Sequence, residues 1–299
     1  MAGCWNLLTC PVCGLRLFEA QRSLQCARGH TFDRAREGYV NLLTAGHGQT
    51  KIHGDTSEML QARRRILGRG YYEPLSARLN QCGVELLAVR RGDTATIMDV
   101  GCGEGYYLGR LSQLLQSSPL NDSPAHPHAR AFCFFGMDVS KDALRMAART
   151  YKSVSFFVGD ARHHIRLGDG SVDLLLNIFA PRNAAEFERV LRPDGSLLIV
   201  IPREHHLTEL RSELSLLRID ADKQERVEQQ LRHRFQLVAQ DTLEYRVDID
   251  RADVVDFLYM TPNYWHLDEA TVVRASALGS IHMTMGMSLL RFRPARGRA

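Results

Sequence analysis

Four residues near the start of the chain have the types and spacing of a metal centre. Cys10, Cys13, Cys26 and His30 read C-x2-C-x12-C-x3-H. Two short pairs on separate turns can close a tetrahedron around one ion, and thiolate plus imidazole is the donor set zinc prefers. Four protein donors leave no open position, so such a zinc holds structure and does no chemistry. Pro11 interrupts the first pair and Gly14 follows it, and Gly29 lies within the second, as knuckle turns require. A redox C-x-x-C or a chance pair is the competing reading. Disulfides are weaker still, because the seven cysteines are odd in number and Cys4, Cys82, Cys102 and Cys133 are scattered.

The chemistry then lies downstream, in DVGCGEGYY over residues 99–107. Gly101, Gly103 and Gly105 at alternate positions let the backbone turn sharply and approach a ligand closely. Asp99 precedes them, Glu104 sits among them and Tyr106 follows. The spacing is tighter than the G-x-G-x-x-G of dinucleotide folds. Asp138 closes the next predicted strand, where its carboxylate can accept two ribose hydroxyls. Asp160 closes the one after, where it can accept from an adenine amino group. Any one of these acids alone is an ordinary cap or turn residue; three at successive strand ends, beside the glycines, are mutually consistent.

The elements that must position these residues are legible from periodicity. Short strands are predicted at SLQC (23–26) and HTFD (30–33). Helices are predicted over 55–69, with Asp55 or Thr56 as cap, and from about Pro74 to Val89. Arg63, Arg64 and Arg65 cannot share one helix face. From residue 94 strands and helices alternate: strands over 94–100, 131–139, 153–161, 172–180 and 196–202, helices over 105–116 and 141–151, and the helix AAEFERVL ended by RPDG. That alternation predicts a parallel, doubly wound α/β sheet with helices on both faces. The end of the chain, through SIHMTMGMSLLRF, predicts a further strand pair with helical turns between. Residues 117–129 read as a Pro/Ser-rich surface loop.

At 299 residues the chain has room for one large domain and a small appendage. The net charge of +4 is unevenly spread. Residues 1–75 carry ten Lys or Arg against six Asp or Glu, and the last nine residues carry four Arg and no acid, so the stretch between is net acidic. Positive charge at both ends suits a polyanionic partner. The start MAGCWNLLTC has no basic segment followed by an apolar run, so no export signal is expected. No stretch approaches the roughly 20 apolar residues of a membrane span. The expected compartment is a reducing cytoplasm.

DVGCGEGYY with Asp138 and Asp160 resembles the class I S-adenosylmethionine-dependent methyltransferases, whose cofactor needs no phosphate-cradling lysine. The metal motif followed by HTFDRAREGYVNLL (30–43), DTSEMLQARR (55–64), GYYEPL (70–75), NIFAPRN (177–183), RVLRPDG (189–195) and HHLTEL (205–210) is similar to one family in particular. These strings resemble the bacterial 23S rRNA guanine-N1 methyltransferases, which modify a hairpin in domain II. The resemblance implies a Rossmann-like class I methyltransferase fold with a small N-terminal zinc ribbon. It divides the chain into residues 1–45, a zinc-binding ribbon for RNA recognition; 46–92, a helical linker region; and 93–299, the methyltransferase domain. It implies zinc on Cys10, Cys13, Cys26 and His30, and S-adenosylmethionine on the Gly103–Tyr106 loop with Tyr72 and His206 closing over it. It also makes a homodimer plausible. The family has two branches, which methylate neighbouring guanines; NIFAPRN with RVLRPDG and HHLTEL resembles the branch that includes the tylosin-resistance methyltransferases.

In such a fold the Asn177–Pro181 segment sits where the target base is placed. Asn177 can hydrogen-bond a base edge or the cofactor, and Phe179 can stack. The plain alternatives are a strand-end polar cap and a core aromatic. Arg16, Arg28, Arg34 and Arg36, with Arg63 to Arg65, are the candidates for phosphate contact. Two other functions stay open at this stage: a zinc-ribbon RNA-binding protein with an inactive methyltransferase fold, and a small-molecule methyltransferase.

Overall fold

The computed structural model describes residues 4–43, 54–90, 92–117 and 131–295. Most of the predicted loop over 117–129 and the last arginines of the chain therefore lie outside the described residues.

The ribbon begins with a 3-10 turn at Cys4–Leu7 and continues through β1 (Leu17–Ala20), β2 (Ser23–Cys26) and β3 (Thr31–Asp33). These form an antiparallel sheet in the order β1-β2-β3, with Leu17 opposite Cys26 and Ser23 opposite Asp33. The next strand, β4 (Val40–Asn41), leaves the ribbon and pairs in parallel with the edge of the main sheet.

Two helices follow. α1 (Ser57–Gly68) is capped by Thr56, whose Oγ1 accepts from Met59 N at 3.2 Å. α2 (Glu73–Ala88) has Pro74 in its first turn, where the missing N–H costs nothing. Then come β5 (Thr94–Val100), α3 (Tyr106–Ser117), β6 (Ala131–Asp138), α4 (Lys141–Thr150), β7 (Ser155–Val158), β8 (Val172–Ile178), α5 (Ala184–Val190) and β9 (Leu191–Pro202). The fifth strand starts earlier than predicted: Leu191 already pairs with Val172, so RPDG is strand and not a helix-ending turn. The chain closes with α6 (Thr208–Glu213), α7 (Lys223–Leu231), β10 (Phe235–Ile249), α8 (Arg251–Tyr259), a 3-10 turn at Pro262–His266, α9 (Glu269–Ala277) and β11 (Ile281–Pro294). The predicted terminal strand pair is β10 with β11.

The large sheet runs β10-β11-β9-β8-β5-β6-β7-β4. The six strands from β9 to β4 are parallel, and β11 and β10 add antiparallel pairs at one edge. Chain order reverses at β5, which passes to β6 on one side and neighbours β8 on the other. The loops after β5 and β8 therefore leave the sheet side by side at this reversal point, at the carboxyl ends of the strands, where open α/β sheets bind ligands. The central strands read as near-continuous apolar runs because helices cover both faces. Alternate residues feed two cores: Ile97, Phe134, Leu174 and Leu198 face one side, and Met98, Phe135, Leu175 and Ile199 face the other.

The ribbon belongs to the second of these cores. Leu8, Leu17 and Leu24 are fully buried with Phe135, Met137 and Phe157. Leu8 bridges Leu167, and Thr9 N donates to Arg166 O at 2.9 Å. A disulfide joins Cys4 to Cys133 on β6. This corrects the expectation that Cys4 and Cys133 are unrelated: they lie 129 residues apart, and only the sheet's packing on the ribbon brings them together. Cys82 and Cys102 remain free thiols. No helix among the described residues is long and apolar enough to cross a membrane.

Candidate active site and zinc centre

The donor atoms of Cys10, Cys13, Cys26 and His30 all lie within 4.8 Å of one another. Cys13 Sγ is 3.6 Å from Cys26 Sγ, and His30 Nδ1 is 3.3 Å from Cys26 Sγ and 3.6 Å from Cys10 Sγ. Zn–S bonds of about 2.3 Å set tetrahedral edges near 3.8 Å, slightly less toward nitrogen, so the set fits zinc. Each cysteine pair sits on a tight knuckle: Gly14 N donates to Cys10 O and Gly29 N to Cys26 O, with φ of +72° and +81° at the two glycines. Burial opposes ionisation of Cys26, but the N–H groups of Arg28 and His30 outweigh it and bring the thiol to about 6. The centre is Cys3His and closed, as the spacing predicts.

In the main sheet, β5 ends in the glycine loop. Gly101, Gly103 and Gly105 have φ of +81°, +54° and +79°. Gly101 has a second requirement: a Cβ there would lie 2.4 Å from Ala180 Cβ, so the loop after β5 and the loop after β8 touch at this point. Asp138 closes β6 and binds the loop from below, its Oδ2 accepting from Gly103 N and its Oδ1 from Ser140 N, both at 2.9 Å. One acceptor site per oxygen is thereby used, and each oxygen retains a second lone pair. Ser140 in turn caps α4 through Ala143 N.

Two acids of the loop are short of partners. Asp99 is buried, and its Oδ1 has no hydrogen bond. Burial, with the Asp138 carboxylate nearby, raises it to about 8. Glu104 Oε2 likewise has no hydrogen bond, and burial raises Glu104 to about 7 against the pull of Arg64 and Arg63. The Tyr106 hydroxyl is also buried without a hydrogen bond. Buried polar atoms left open like this point to a missing ligand. Asp160 differs. Arg162 lies along its carboxylate, with Nε at 3.1 Å from Oδ1 and Nη2 at 3.0 Å from Oδ2. Burial works against ionisation there, but the Arg162 hydrogen bonds outweigh it and hold the carboxyl below its ordinary range.

Over the loop stands an aromatic cluster. His206 is buried and neutral, pushed down to about 3 by burial and by nearby Arg211 and Lys223. Its Nδ1 accepts from Gly286 N at 3.3 Å, which assigns the proton to Nε2, and that group donates to the Tyr72 hydroxyl at 3.3 Å. Phe179 stacks on the His206 ring at 6.3 Å and 19°, and meets Tyr72 edge-on at 6.4 Å. Phe257 of α8 stacks on Tyr72 from the other side, a contact that nothing in the sequence pattern announces. Phe179 is 42% exposed and has φ of +54°, a left-handed conformation that costs a bulky residue about 1–2 kcal/mol. It is neither a core aromatic nor relaxed. Strain of this kind gathers at functional sites.

Asn177, the other residue singled out on this strand, is fully buried. Its Nδ2 donates to Val100 O at 3.1 Å and to Pro181 O at 2.9 Å, and its Oδ1 has no partner. The side chain ties the end of β5 to the turn after β8.

The arginine triplet of α1 corrects an expectation. Arg63 pairs with Asp55 and donates to Met260 O at 3.1 Å; its Nη1 would lie 3.7 Å from a Cβ on Gly103, so it overhangs the glycine loop. Arg64 reaches Thr150 Oγ1 at 2.9 Å and lies 3.8 Å from Glu104. Arg65 grips Asp256 through two hydrogen bonds of 2.6 Å. All three are engaged within the chain, because the loop before α1 and α8 present acids to that helix. On the ribbon, Arg34 pairs with Glu19 and lies over Trp5, whereas Arg16, Arg28 and Arg36 are exposed.

A parallel sheet reversing at β5, a glycine loop with open acids, and a closed Cys3His knuckle define a zinc-ribbon, class I S-adenosylmethionine-dependent methyltransferase. Comparison with known proteins narrows the class. A family described as "RlmA, N-terminal", a zinc ribbon, matches residues 8–51, and a family described as "Methyltransferase domain" matches residues 92–252. A Micromonospora griseorubida protein named for 23S rRNA (guanine-N1)-methyltransferase activity is 39% identical, across 96% of this chain and 97% of its own. The 23S rRNA (guanine(748)-N1)-methyltransferase of Streptomyces fradiae is 36% identical across 96% of both. The chain belongs to the 23S rRNA (guanine-N1)-methyltransferase family.

Proposed function

We propose that this protein methylates N1 of a guanine in a domain II hairpin of 23S rRNA, at the position for which its Streptomyces fradiae relative is named. The observation that carries the reading is the pairing of open acids at the glycine loop with a strained, exposed Phe179 beside them. Bound at that loop, S-adenosylmethionine supplies an electrophilic methyl group, whose transfer to guanine N1 releases a thioether and the N1 proton. Asp138 offers its remaining lone pairs to the ribose hydroxyls. Asp99 and Glu104 face the loop where a cationic amino-acid moiety is stabilised by carboxylates. Asp160 accepts from the adenine amino group once Arg162 yields.

Guanine N1 is hidden in a base pair, so the base has to be presented unpaired. Phe179 stacks on it, and Asn177 holds the turn carrying Phe179 against the cofactor loop. Neither His206 nor Tyr72 acts as proton acceptor. Both His206 nitrogens are occupied, and burial raises the Tyr72 hydroxyl well above its ordinary range. Alignment of N1 with the methyl group is then the main source of rate. The ribbon's Arg16, Arg28 and Arg36 meet RNA phosphates, which makes binding steeply salt-dependent.

The test is methyl transfer from labelled S-adenosylmethionine to unmodified 23S rRNA, with the base mapped by a primer-extension stop. A single stop at that guanine is expected. Transfer to a small molecule with none to RNA would overturn the reading.

A further inference from the structure

A groove of about 610 Å³ opens at the carboxyl end of β9, lined by Glu204, His205, Thr208, Arg211, Arg218 and Ile219. His206, one residue along from this lining, turns the other way and lies buried under Phe179. The groove thus backs directly onto the aromatic cluster. Arg211 is fixed in it, donating from Nε to His206 O at 3.0 Å and from Nη2 to Glu204 O, and Arg218 is exposed.

The far rim belongs to a different part of the chain. Leu217 N donates to Asn263 Oδ1 at 3.2 Å, which attaches the groove to the 3-10 turn Pro262–His266. That turn carries Trp265, 48% exposed. Trp265 meets Tyr264 edge-on at 5.5 Å, and Tyr264 meets Tyr259 in the same way at 5.5 Å. The Tyr264 hydroxyl donates to Glu58 of α1 at 2.5 Å. Met260, two residues before the turn, accepts from Arg63, the residue that overhangs the glycine loop. The indole is therefore carried, half exposed, on a turn braced on α1, on α8 and on the rim of the groove. The guanidinium group of Arg211 and the hydroxyls of Thr208, Ser212 and Ser215 line the groove itself. A flat aromatic face beside cationic and hydroxylic groups suits a nucleotide: the ring takes the base and the arginines take the phosphate.

We propose that Trp265 is a stacking platform for an unpaired nucleotide next to the target guanine, and that the groove between Trp265 and His206 carries the intervening sugar-phosphate. This rests on the reading of the protein as an RNA methyltransferase, and adds to it a site that sets which loop is accepted. An exposed aromatic reads any base by its π-face, so the platform selects for a splayed loop over a paired stem.

The test uses the zinc-loaded full chain and the rRNA hairpin with 2-aminopurine placed in turn at each loop position beside the target. One position is expected to quench on binding wild-type protein and to stay bright with Trp265→Leu. Trp265→Leu is expected to raise Kd and KM for the hairpin roughly 5- to 150-fold, the range that the loss of one stacked base implies. Trp265→Phe should restore most of that loss, and S-adenosylmethionine affinity and melting temperature should hold in both variants. Hairpin Kd and KM within twofold of wild type in Trp265→Leu would overturn the proposal. So would a loss traced to weaker cofactor binding or to a changed oligomeric state, which would mark Trp265 as a packing or protein-contact residue. Wild-type protein that neither binds nor methylates the hairpin would remove the underlying reading, and the proposal with it.

Discussion

In the ribbon, the groups brought together by four donors are already matched to each other: Val12 N donates to Cys10 Sγ, and His30 Nδ1 lies against two thiols. At the carboxyl end of β5 and β8 the arrangement is the reverse. Asp99 Oδ1, Glu104 Oε2, Tyr106 Oη and Asn177 Oδ1 are buried without a hydrogen bond, and Phe179 is held in a strained backbone conformation. Both regions are built on glycine turns with positive φ, and both bury acidic groups. One is completed by a single ion and then does nothing but hold shape. The other retains desolvated polar groups that cost stability until a ligand satisfies them. A chain can carry the second kind of region because regions of the first kind hold it together.

Removing the metal tests that dependence most severely. Structural zinc contributes apparent binding free energies of about 10–16 kcal/mol in isolated fingers. Native domains have only about 5–15 kcal/mol in all. Cys26→Ser, or chelation, is expected to unfold the ribbon. Because Leu17 and Leu24 share a core with Phe135 and Phe157, the main sheet should lose stability with it. Thermal unfolding and zinc content, followed together, check this. A metal-free protein that melts at the wild-type temperature would show the two regions to be independent.

Paired glycine substitutions sharpen the contrast. Gly14 of the ribbon (φ +72°) and Gly101 of the loop (φ +81°) need the same backbone, but a Cβ at Gly14 meets nothing within 4 Å, whereas one at Gly101 strikes Ala180. Gly14→Ala should cost about 1–2 kcal/mol of stability from conformation alone. Gly101→Ala should add about 1–3 kcal/mol of overpacking and should weaken cofactor binding by a factor of about 10 or more. Calorimetry of both variants with S-adenosylmethionine separates the cases. Equal cofactor affinity in the two would mean that the contact between the loops after β5 and β8 does not shape the site.

Which parts of this were legible beforehand follows from range. The four zinc donors fall within 21 residues, Cys10 to His30, and the glycine motif within nine, Asp99 to Tyr107, so sequence spacing carries them. The apolar runs that deliver Asp99 and Asp138 announce themselves as strands with an acid at or next to the end, whereas β7 stops at Val158 and Asp160 follows in the loop, not in the strand predicted over 153–161. Range also explains the misses. Cys4 meets Cys133 only because the ribbon packs on β6. Arg63 to Arg65 read as candidates for phosphate contact, and spacing does not show that α8 brings Asp256 to Arg65 or that the loop before α1 supplies Asp55 to Arg63. Phe257 joins Tyr72 across most of the chain. The strain at Phe179 has no sequence signal at all, since an aromatic at a strand end looks like any other.

Acidity gives a pH test with a definite sign. Asp99 titrates near 4 in an unfolded chain but near 8 when folded, because it is buried with one oxygen unpaired. Its contribution to stability is complete below about 4 and is lost as pH rises toward 8, since the unfolded chain gives up the proton first. The cofactor-free protein should therefore lose stability from this group between pH 5 and 8. Asp99→Asn should flatten that slope and be the more stable form at pH 8. Cofactor affinity should show the opposite trend in the wild type, strengthening as Asp99 and Glu104 ionise between pH 6 and 8. Denaturant midpoints across this range decide it. A slope unchanged by Asp99→Asn would mean that the carboxyl is not desolvated, and the contrast with the ribbon would lose its strongest element.

The smallest stability effect is expected at Phe179, and it separates strain from contact. Phe179→Ala removes the ring from His206 and Tyr72 but keeps a Cβ in the left-handed region. Phe179→Gly removes the ring and the strain together. The alanine variant should be less stable than the glycine variant by about 1 kcal/mol, because the left-handed conformation is free to glycine alone. The glycine variant should sit within about 1 kcal/mol of wild type, the lost burial of a half-exposed ring roughly offsetting the relieved strain. Turnover should not follow stability. If Phe179 stacks the target base, both variants lose about 1–3 kcal/mol of binding to it, a fall of roughly 5- to 150-fold in kcat/KM on rRNA. Equal stabilities for the two variants would deny the strain. A glycine variant with wild-type turnover would move the base away from Phe179, leaving the exposed ring as a feature of packing, like Phe18 on the ribbon.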